Sequence, residues 1–459
     1  MSINLKSDPI QKSFIQYLLP ALSGMVIKSI FIMGDAWFVG KGVGAEGLGA
    51  ISLTIPAFSL FTAIAMMIGI GGAALMSIEF GKGNLSVGQT LFSQAMLATA
   101  IISTIAVSIA LFCLDDIIRL MGATGYMAQL AHDYLGVMLK FFVLYALAWV
   151  MSCFIRNDTN PKLAMYAMSA GAVTNLVLDY FFVLQFGWGM KGAAYATAIS
   201  QAVIALILLS HFWQAKGQLR LTLQGLGLDK VRQILKIGTP TFFIEITSAL
   251  TILLFNYVLL SQFGESYIIA YGLTANVGVF ALFVIVGINQ ACQPIISFNH
   301  GANLPERVKA TLKLGLVTSI GSGLLFLAVI GLFSETVARF YLGDNIELVE
   351  LSATALLFFF YATPLMGLNL VVANLFQAIA KPNQATIISL ARGFVFVALG
   401  VIILPSLFPN NGIWASILFA EAMTAIISLG LLLTFIKSQK NGGDSYLNKV
   451  GVATFVDSQ

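Results

Sequence analysis

Two stretches decide how this chain is built: GIGGAALMSIEFGKG, residues 69–83, and GINQACQPIISFNHG, residues 287–301. Set in register, they share Gly, Ile, Ala, Ile, Phe and Gly. Nearly the same offset, about 220 residues, recurs along the whole chain. Pro20 matches Pro240, Gly44 matches Gly264, Leu53-Thr54 matches Leu273-Thr274, and Gly192 matches Gly412; Pro161 falls within one residue of matching Pro382. Each match is weak alone. One offset over the full length marks an internal duplication.

What is duplicated is apolar. Of 459 residues, 58% are hydrophobic and 10% charged, against about 25% charged in soluble domains, and the mean hydropathy is +0.91. A membrane span needs roughly 20 apolar residues. The pattern predicts about twelve, near 14–38, 51–78, 89–114, 127–155, 162–185, 191–213, 237–261, 268–298, 310–334, 350–379, 384–406 and 411–436. The fold class expected is therefore an all-α polytopic membrane protein with two pseudo-symmetric six-helix lobes. Six is even, so the second half enters the bilayer in the same direction as the first, as a parallel repeat. The expected divisions are an N-terminal lobe over 1–215, a linker over 216–236, a C-terminal lobe over 237–436 and a tail over 437–459. The linker, basic and amphipathic, is expected to lie on the inner membrane surface. Lys and Arg concentrate in the terminal segments, the linker and alternate loops, while the opposite loops hold only Lys41, Arg119, Lys191 and Arg339. That bias puts both termini in the cytoplasm. The N-terminal MSINLKSDPIQKS has no small-residue cleavage site, so the first span is expected to be retained.

Composition also excludes functions. A net charge of +4 spread over short loops offers no basic patch for nucleic acid. Cys113, Cys153 and Cys292 form no CxxC pair, and His132, His211 and His300 are scattered, so neither a disulfide framework nor a transition-metal site is expected. No GxxxxGK[ST] loop is present, which points away from ATP hydrolysis and towards an ion gradient as the energy source. No cofactor is expected beyond the coupling ion.

Charged residues inside the spans carry the chemistry. A charge at mid-bilayer costs roughly 2.5–3.5 kcal/mol on insertion scales, yet Asp35, Asp179, Glu245 and Glu421 all fall within spans, as do Lys28, Lys140 and Arg392. In TNLVLDYFF, Asn175 and Asp179 stand four apart on one helical face. Thr197 is similarly set in the sixth span. A carboxylate in a poorly hydrated cavity favours its neutral form, more so beside a second carboxylate. Asp35 could then exchange a proton, or, ionised, attract Na+ or an organic cation; the plain alternative is a paired helix-end residue facing water. Glu245, Asn276, Gln290 and Gln293 are candidates for a cavity or a second-lobe site, with a structural role as the alternative. Pro20 removes a helical hydrogen bond and is a candidate bending point for the first span.

Pro20, GDAWFVG at 34–40, INQACQPIISFNHGA at 288–302, and Asn175, Asp179 and Thr197 together resemble the multidrug and toxic compound extrusion (MATE) family, in particular its DinF-like branch. The resemblance covers all twelve spans and the central linker. It implies a V-shaped, monomeric antiporter of the bacterial inner membrane, not an enzyme, expelling amphipathic cationic drugs. It further implies a coupling site of Asp35, Asn175, Asp179 and Thr197, with the first helix bending at Pro20 on protonation. Sodium-driven members carry an acid in the tenth span; FFFYATPLMGLNLVVANLF, 358–376, has none. That departure shifts the expectation to H+, with Na+ at the same four residues as the alternative. A lipid-linked oligosaccharide flippase would share the architecture but needs a cationic cavity. An intramembrane aspartyl protease would need YD and GxGD motifs, which are missing.

Overall fold

The computed structural model describes residues 3–213, 217–343, 345–409 and 411–440. Lys216 and the tail from 441 onward, both assigned from the sequence, lie outside them. Twelve helices are long and apolar enough to cross a bilayer. The first six are α1 (Ile10–Gly42), α2 (Ala45–Lys82), α3 (Leu85–Phe112), α4 (Gly125–Asn157), α5 (Pro161–Gln185) and α6 (Gly189–Trp213). The second six are α7 (Leu228–Phe263), α8 (Glu265–Gly301), α9 (Pro305–Leu342), α10 (Ile346–Ala378), α11 (Pro382–Leu407) and α12 (Gly412–Ser438). A short surface helix, Leu114–Leu120, joins α3 to α4. Hereafter the side of the bundle that carries the N-terminus is basal and the other distal.

Local chemistry sets the helix ends. Pro161, Pro305 and Pro382 each open a helix, where the missing N–H costs nothing. Asn160 and Asn345 accept from the amides of Leu163 at 3.3 Å and Leu348 at 3.2 Å, which caps α5 and α10. The duplication is visible in the backbone itself. Gly44 and Gly264, paired by the sequence offset, precede α2 and α8 with φ of 96° and 91°, a region closed to most residues with a Cβ.

Packing repeats as well. In the first half α1 packs on α5, α2 on α4, α3 on α4, α4 on α6 and α5 on α6. In the second half α7 packs on α11, α8 on α10, α9 on α10, α10 on α12 and α11 on α12. Each pair recurs with every helix number advanced by six. The halves meet through α1–α8, α2–α7 and α2–α8, a set that maps onto itself under the same shift. The result is two pseudo-symmetric six-helix lobes.

The tightest junctions between the lobes lie in the basal part of the bundle. A Cβ on Gly71 of α2 would collide with the Ile234 carbonyl and lie 2.6 Å from the Gly238 nitrogen of α7. One on Gly81 would strike the Phe298 carbonyl of α8, and one on Gly301 would strike that of Ile78. Ser77 Oγ donates across the same seam to the Pro294 carbonyl at 3.2 Å. Backbone rests on backbone there, the route to close packing where no hydrophobic driving force separates helices from lipid.

The segment leading into α7 docks on the first lobe and leaves Leu221 and Leu223 exposed. Residues 217–227 are not helical, and α7 begins at Leu228 rather than near 237. This strap packs on protein: Leu219 is fully buried, and the amides of Gln218 and Leu219 donate to the Asp158 carboxylate at 2.9 and 3.1 Å. His211 Nε2 lies 2.8 Å from the same carboxylate. Farther along, Thr222 N–H donates to Ser93 Oγ and Gly227 N–H to Gln94 Oε1, both at 2.8 Å. Its backbone amides meet side-chain partners in the first lobe, which a hydropathy pattern does not reveal. The N-terminal segment docks on the opposite lobe, where Arg307 of α9 donates to the carbonyls of Leu5 at 2.8 Å and Asp8 at 2.7 Å.

Replacing Gly71 by Val should force α2 and α7 apart and cost about 1–3 kcal/mol, as overpacking does. The purified protein should then unfold at a temperature several degrees lower. Gly430→Val, at a position with open space around it, should leave the melting temperature unchanged.

Candidate functional site

Close approach of α1 and α5 creates the site. Gly34 lies so near Leu176 that any Cβ would overlap its side chain, and Gly42 stands equally near Val183. Asp35, the next residue after Gly34, is thereby brought near Asp179, close enough for the two carboxyl groups to act on each other. Two like charges that close repel. With its amide nitrogen turned towards Asp179, Asn175 donates to Oδ2 at 2.9 Å while its oxygen accepts from the Thr197 amide at 3.3 Å. Ser200 Oγ, bonded to the Thr197 carbonyl at 2.7 Å, ties the same turn of α6.

Burial assigns different parts to the two acids. Asp179 and Asn175 are fully enclosed and Thr197 nearly so, whereas Asp35 is partly exposed. Asp35 is therefore the less enclosed of the two. One oxygen of each carboxyl, Asp35 Oδ1 and Asp179 Oδ1, is shielded without a hydrogen-bond partner. Tyr134 of α4 lies close enough for both acid charges to act on its hydroxyl. The sequence reading missed Tyr134, since a tyrosine in an apolar span gives no signal by itself. Just beyond Asp179 the helix widens into i→i+5 turns over Tyr180–Gln185, a feature frequent at functional positions.

The four residues expected to form the coupling site thus come together. The remaining candidates are elsewhere. Pro20 is buried inside α1, which continues through it without a break. Gln290 accepts from Arg156, and Gln293 Oε1 accepts from Asn157 Nδ2 at 3.0 Å. Both glutamines therefore tie α4 to α8 and build the floor of the space between the lobes. Asn276 is exposed and donates to its own helix, at the Gly272 carbonyl. Glu245, partly exposed on α7, stands away from the aspartates; the charge that acts on it is that of Lys28.

Glu421 and Arg392 have found each other. Arg392 grips Glu421 Oε1 through Nη2 at 2.6 Å and Nε at 3.1 Å. Asn369 Nδ2 donates to the other carboxylate oxygen at 2.8 Å, and Ser428 donates to Asn369 Oδ1 at 2.8 Å. This second-lobe cluster is a neutralised ion pair whose acid is fully engaged. A buried pair of this kind, with its lone pairs satisfied, is a structural element. Asn369 completes it from α10, a contact that the sequence did not suggest.

The MatE family model matches the chain twice, over residues 20–181 and 240–402. Multidrug export protein MepA of Staphylococcus aureus is 25% identical over 429 residues, 92% of this chain and 94% of that protein. The protein of the same name from Staphylococcus saprophyticus is 25% identical over 428 residues, 91% and 92% of the two chains. Solved structures agree in fold. The outward-facing conformation of a multidrug resistance MATE family transporter of the MOP superfamily superposes with a TM-score of 0.90 at 21% identity, covering 95% of this chain and 98% of that one. A mutant of VcmN, a Vibrio cholerae MATE transporter, does so with 0.87 at 21% identity, over 94% and 97%. With each of its halves matched by the same family model, the chain is a member of the MATE family.

Proposed function

We propose that this protein exports amphipathic cationic drugs across the bacterial inner membrane in exchange for protons, and that the Asp35–Asp179 pair is the coupling site. The observation that carries the reading is the apposition of two carboxyl groups within the bundle, one member enclosed and the other partly exposed. Such a pair keeps one proton and can gain or lose another without a lone charge being stranded in lipid. The multidrug export proteins that match over nearly their whole length support the cargo. The Lys and Arg bias supports a cytoplasmic basal side.

The cycle follows from what each residue touches. With drug in the cleft, Asp35 is ionised. A proton arriving from the distal side neutralises it, and the electrostatic hold on the cationic drug weakens. The distal part of α1, which Gly34 and Gly42 let rest on α5, then moves about Pro20, where a backbone hydrogen bond is missing. Drug leaves to the outside, and the lobes rock to close the distal side. Where more protons enter than drug charges leave, each extra charge crossing 100 mV gains about 2.3 kcal/mol, and about 1.4 kcal/mol sustains a tenfold gradient. A monovalent drug exchanged for one proton moves no net charge, so the pH difference alone then drives export. Sodium is the second candidate for the same four residues, whose carboxylate, amide and hydroxyl oxygens suit a hard cation. In the second lobe Arg392 already fills the place beside Glu421, which favours coupling in the first. A pyrophosphate-binding flippase loses support for the same reason, because Arg392 is engaged.

Asp35→Asn should abolish efflux of a fluorescent cation from cells, and its uptake into everted vesicles, while the protein stays inserted at wild-type levels. Drug resistance equal to wild type in that variant would overturn the proposal. Efflux should collapse with a proton uncoupler and persist in Na+-free buffer; the reverse result would assign the site to Na+. Gly34→Val, which keeps both acids but holds α1 off α5, should reduce efflux by at least about tenfold, the effect of roughly 1.4 kcal/mol.

A further inference from the structure

The strap ahead of α7, residues 217–227, runs alongside a span. It crosses α3 at Gln89, Thr90, Ser93 and Gln94. Gln89 Nε2 donates to the Gln218 carbonyl at 2.7 Å and Thr90 Oγ1 to that of Gln224 at 3.3 Å, beside the amide contacts of Thr222 and Gly227. The four α3 residues stand at i, i+1, i+4 and i+5 on one helical face, in the second and third turns of a helix that starts at Leu85. With 28 residues α3 is about 42 Å long at 1.5 Å per residue, against roughly 30 Å of hydrocarbon. Its end turns therefore stand at headgroup depth, and the strap lies along them there.

The inner face of the strap is satisfied and its outer face is not. Leu219 is buried, whereas Leu221 and Leu223 are 70% and 89% exposed. The pseudo-symmetric segment ahead of α1 does the opposite: Leu5 is buried there, and the exposed residues beside it are Asn4, Lys6 and Ser7. Apolar exposure is thus a property of this strap and not of the fold. Cations accompany it. Residues 217–240 hold Arg220, Lys230, Arg232 and Lys236 against one acid, Asp229. Lys230 is tied to the Gly225 carbonyl, and Arg220 to that of Leu219 at 2.6 Å. Arg232 and Lys236 stand four apart on α7, both exposed. Among the described residues neither has a carboxylate within 4.0 Å or a hydrogen bond.

Exposed leucines and unpartnered cations together at headgroup depth complement an anionic lipid, whose acyl chains cover the former and whose phosphate meets the latter. We infer that the strap and the first turns of α7 form a docking surface for anionic phospholipid of the basal leaflet. Leu221 and Leu223 enter the acyl boundary, and Arg220, Arg232 and Lys236 supply the charge for the phosphate. The strap lies on the chain's single passage from one lobe to the other, so lipid bound there sets how firmly the start of α7 is tied to the first lobe. Binding of this kind needs neither gradient nor cargo and stands apart from the export reading.

Hydrogen–deuterium exchange of the full-length protein in nanodiscs tests this, in phosphatidylcholine alone and in its mixture with phosphatidylglycerol. The strap amides should exchange about tenfold more slowly in the anionic discs, since a ligand of the docked form suppresses its opening. Arg232→Gln with Lys236→Gln should bring that ratio to about one, because most of the surface attraction goes with the two charges. Arg232→Lys with Lys236→Arg should keep it. Leu221→Ser with Leu223→Ser should speed strap exchange in both discs. Amides in the middle of α3 are the control for folding, and variants are compared where these are unchanged. Glycerol 3-phosphate added to the phosphatidylcholine discs should protect nothing. Equal strap exchange in the two discs, an unchanged ratio in the neutral variant, leucine variants that exchange as the wild type does, or protection by the soluble headgroup overturns the inference. Failure of the export reading shows separately, as efflux retained by Asp35→Asn.

Discussion

A lone carboxylate in a bilayer is costly, and this chain meets that constraint in two opposite ways. In the second lobe Glu421 is closed off by Arg392 and Asn369, so its charge is paired in place. In the first lobe Asp35 and Asp179 have no Lys or Arg within salt-bridge distance among the described residues; they face each other instead. Removing either partner of the first arrangement would strand the other, a loss of about 3–5 kcal/mol. The second places two like groups side by side. Pseudo-symmetry of the backbone is thus combined with asymmetry of chemistry.

Helix α1 belongs to both lobes. Its basal residues Phe14 and Tyr17 lie in the second lobe's core with Ile288, Ala291 and Val371, while its distal part rests on α5 through Gly34 and Gly42. Pro20 falls between these anchorages. A helix fixed at both ends to bodies that move relative to one another bends where its hydrogen bonding is weakest, and in α1 that is Pro20. The basal seam is the opposite kind of joint. Its glycines put backbone against backbone, an arrangement that tolerates sliding or separation but no added volume.

Much of this was legible before any coordinates. The offset of about 220 residues gave the repeat, and Gly44 and Gly264 even share one unusual φ. An i, i+4 spacing gave Asn175 and Asp179 as one face, and a costly acid in an apolar run singled out Asp35. What stayed hidden are contacts between segments far apart in sequence. Gln290 and Gln293 carry the same polar signal as a cavity residue, yet their partners, Arg156 and Asn157, belong to the other lobe and turn them into a floor. The linker looked amphipathic because its polar groups are many; that Asp158 and Ser93 are waiting for them is a tertiary fact. Arg392 and Glu421, 29 positions apart, carry no periodic relation that would declare them a pair.

Distance then decides how the two charged residues within the first span can influence each other. Lys28 and Asp35 are seven residues apart on α1, about 10 Å along the helix at 1.5 Å per residue. Across water, unit charges at that range interact by about 0.4 kcal/mol, and physiological salt, with a screening length of about 8 Å, reduces this further. The Lys28 charge therefore alters the protonation of Asp35 by less than a factor of two or so through direct electrostatics. Coupling of useful size has to travel through the helix. Both residues lie distal to Pro20 on the same rigid stretch, so any bend there displaces Lys28 from the rings of Trp149 and Phe283 as it displaces Asp35 from Asp179.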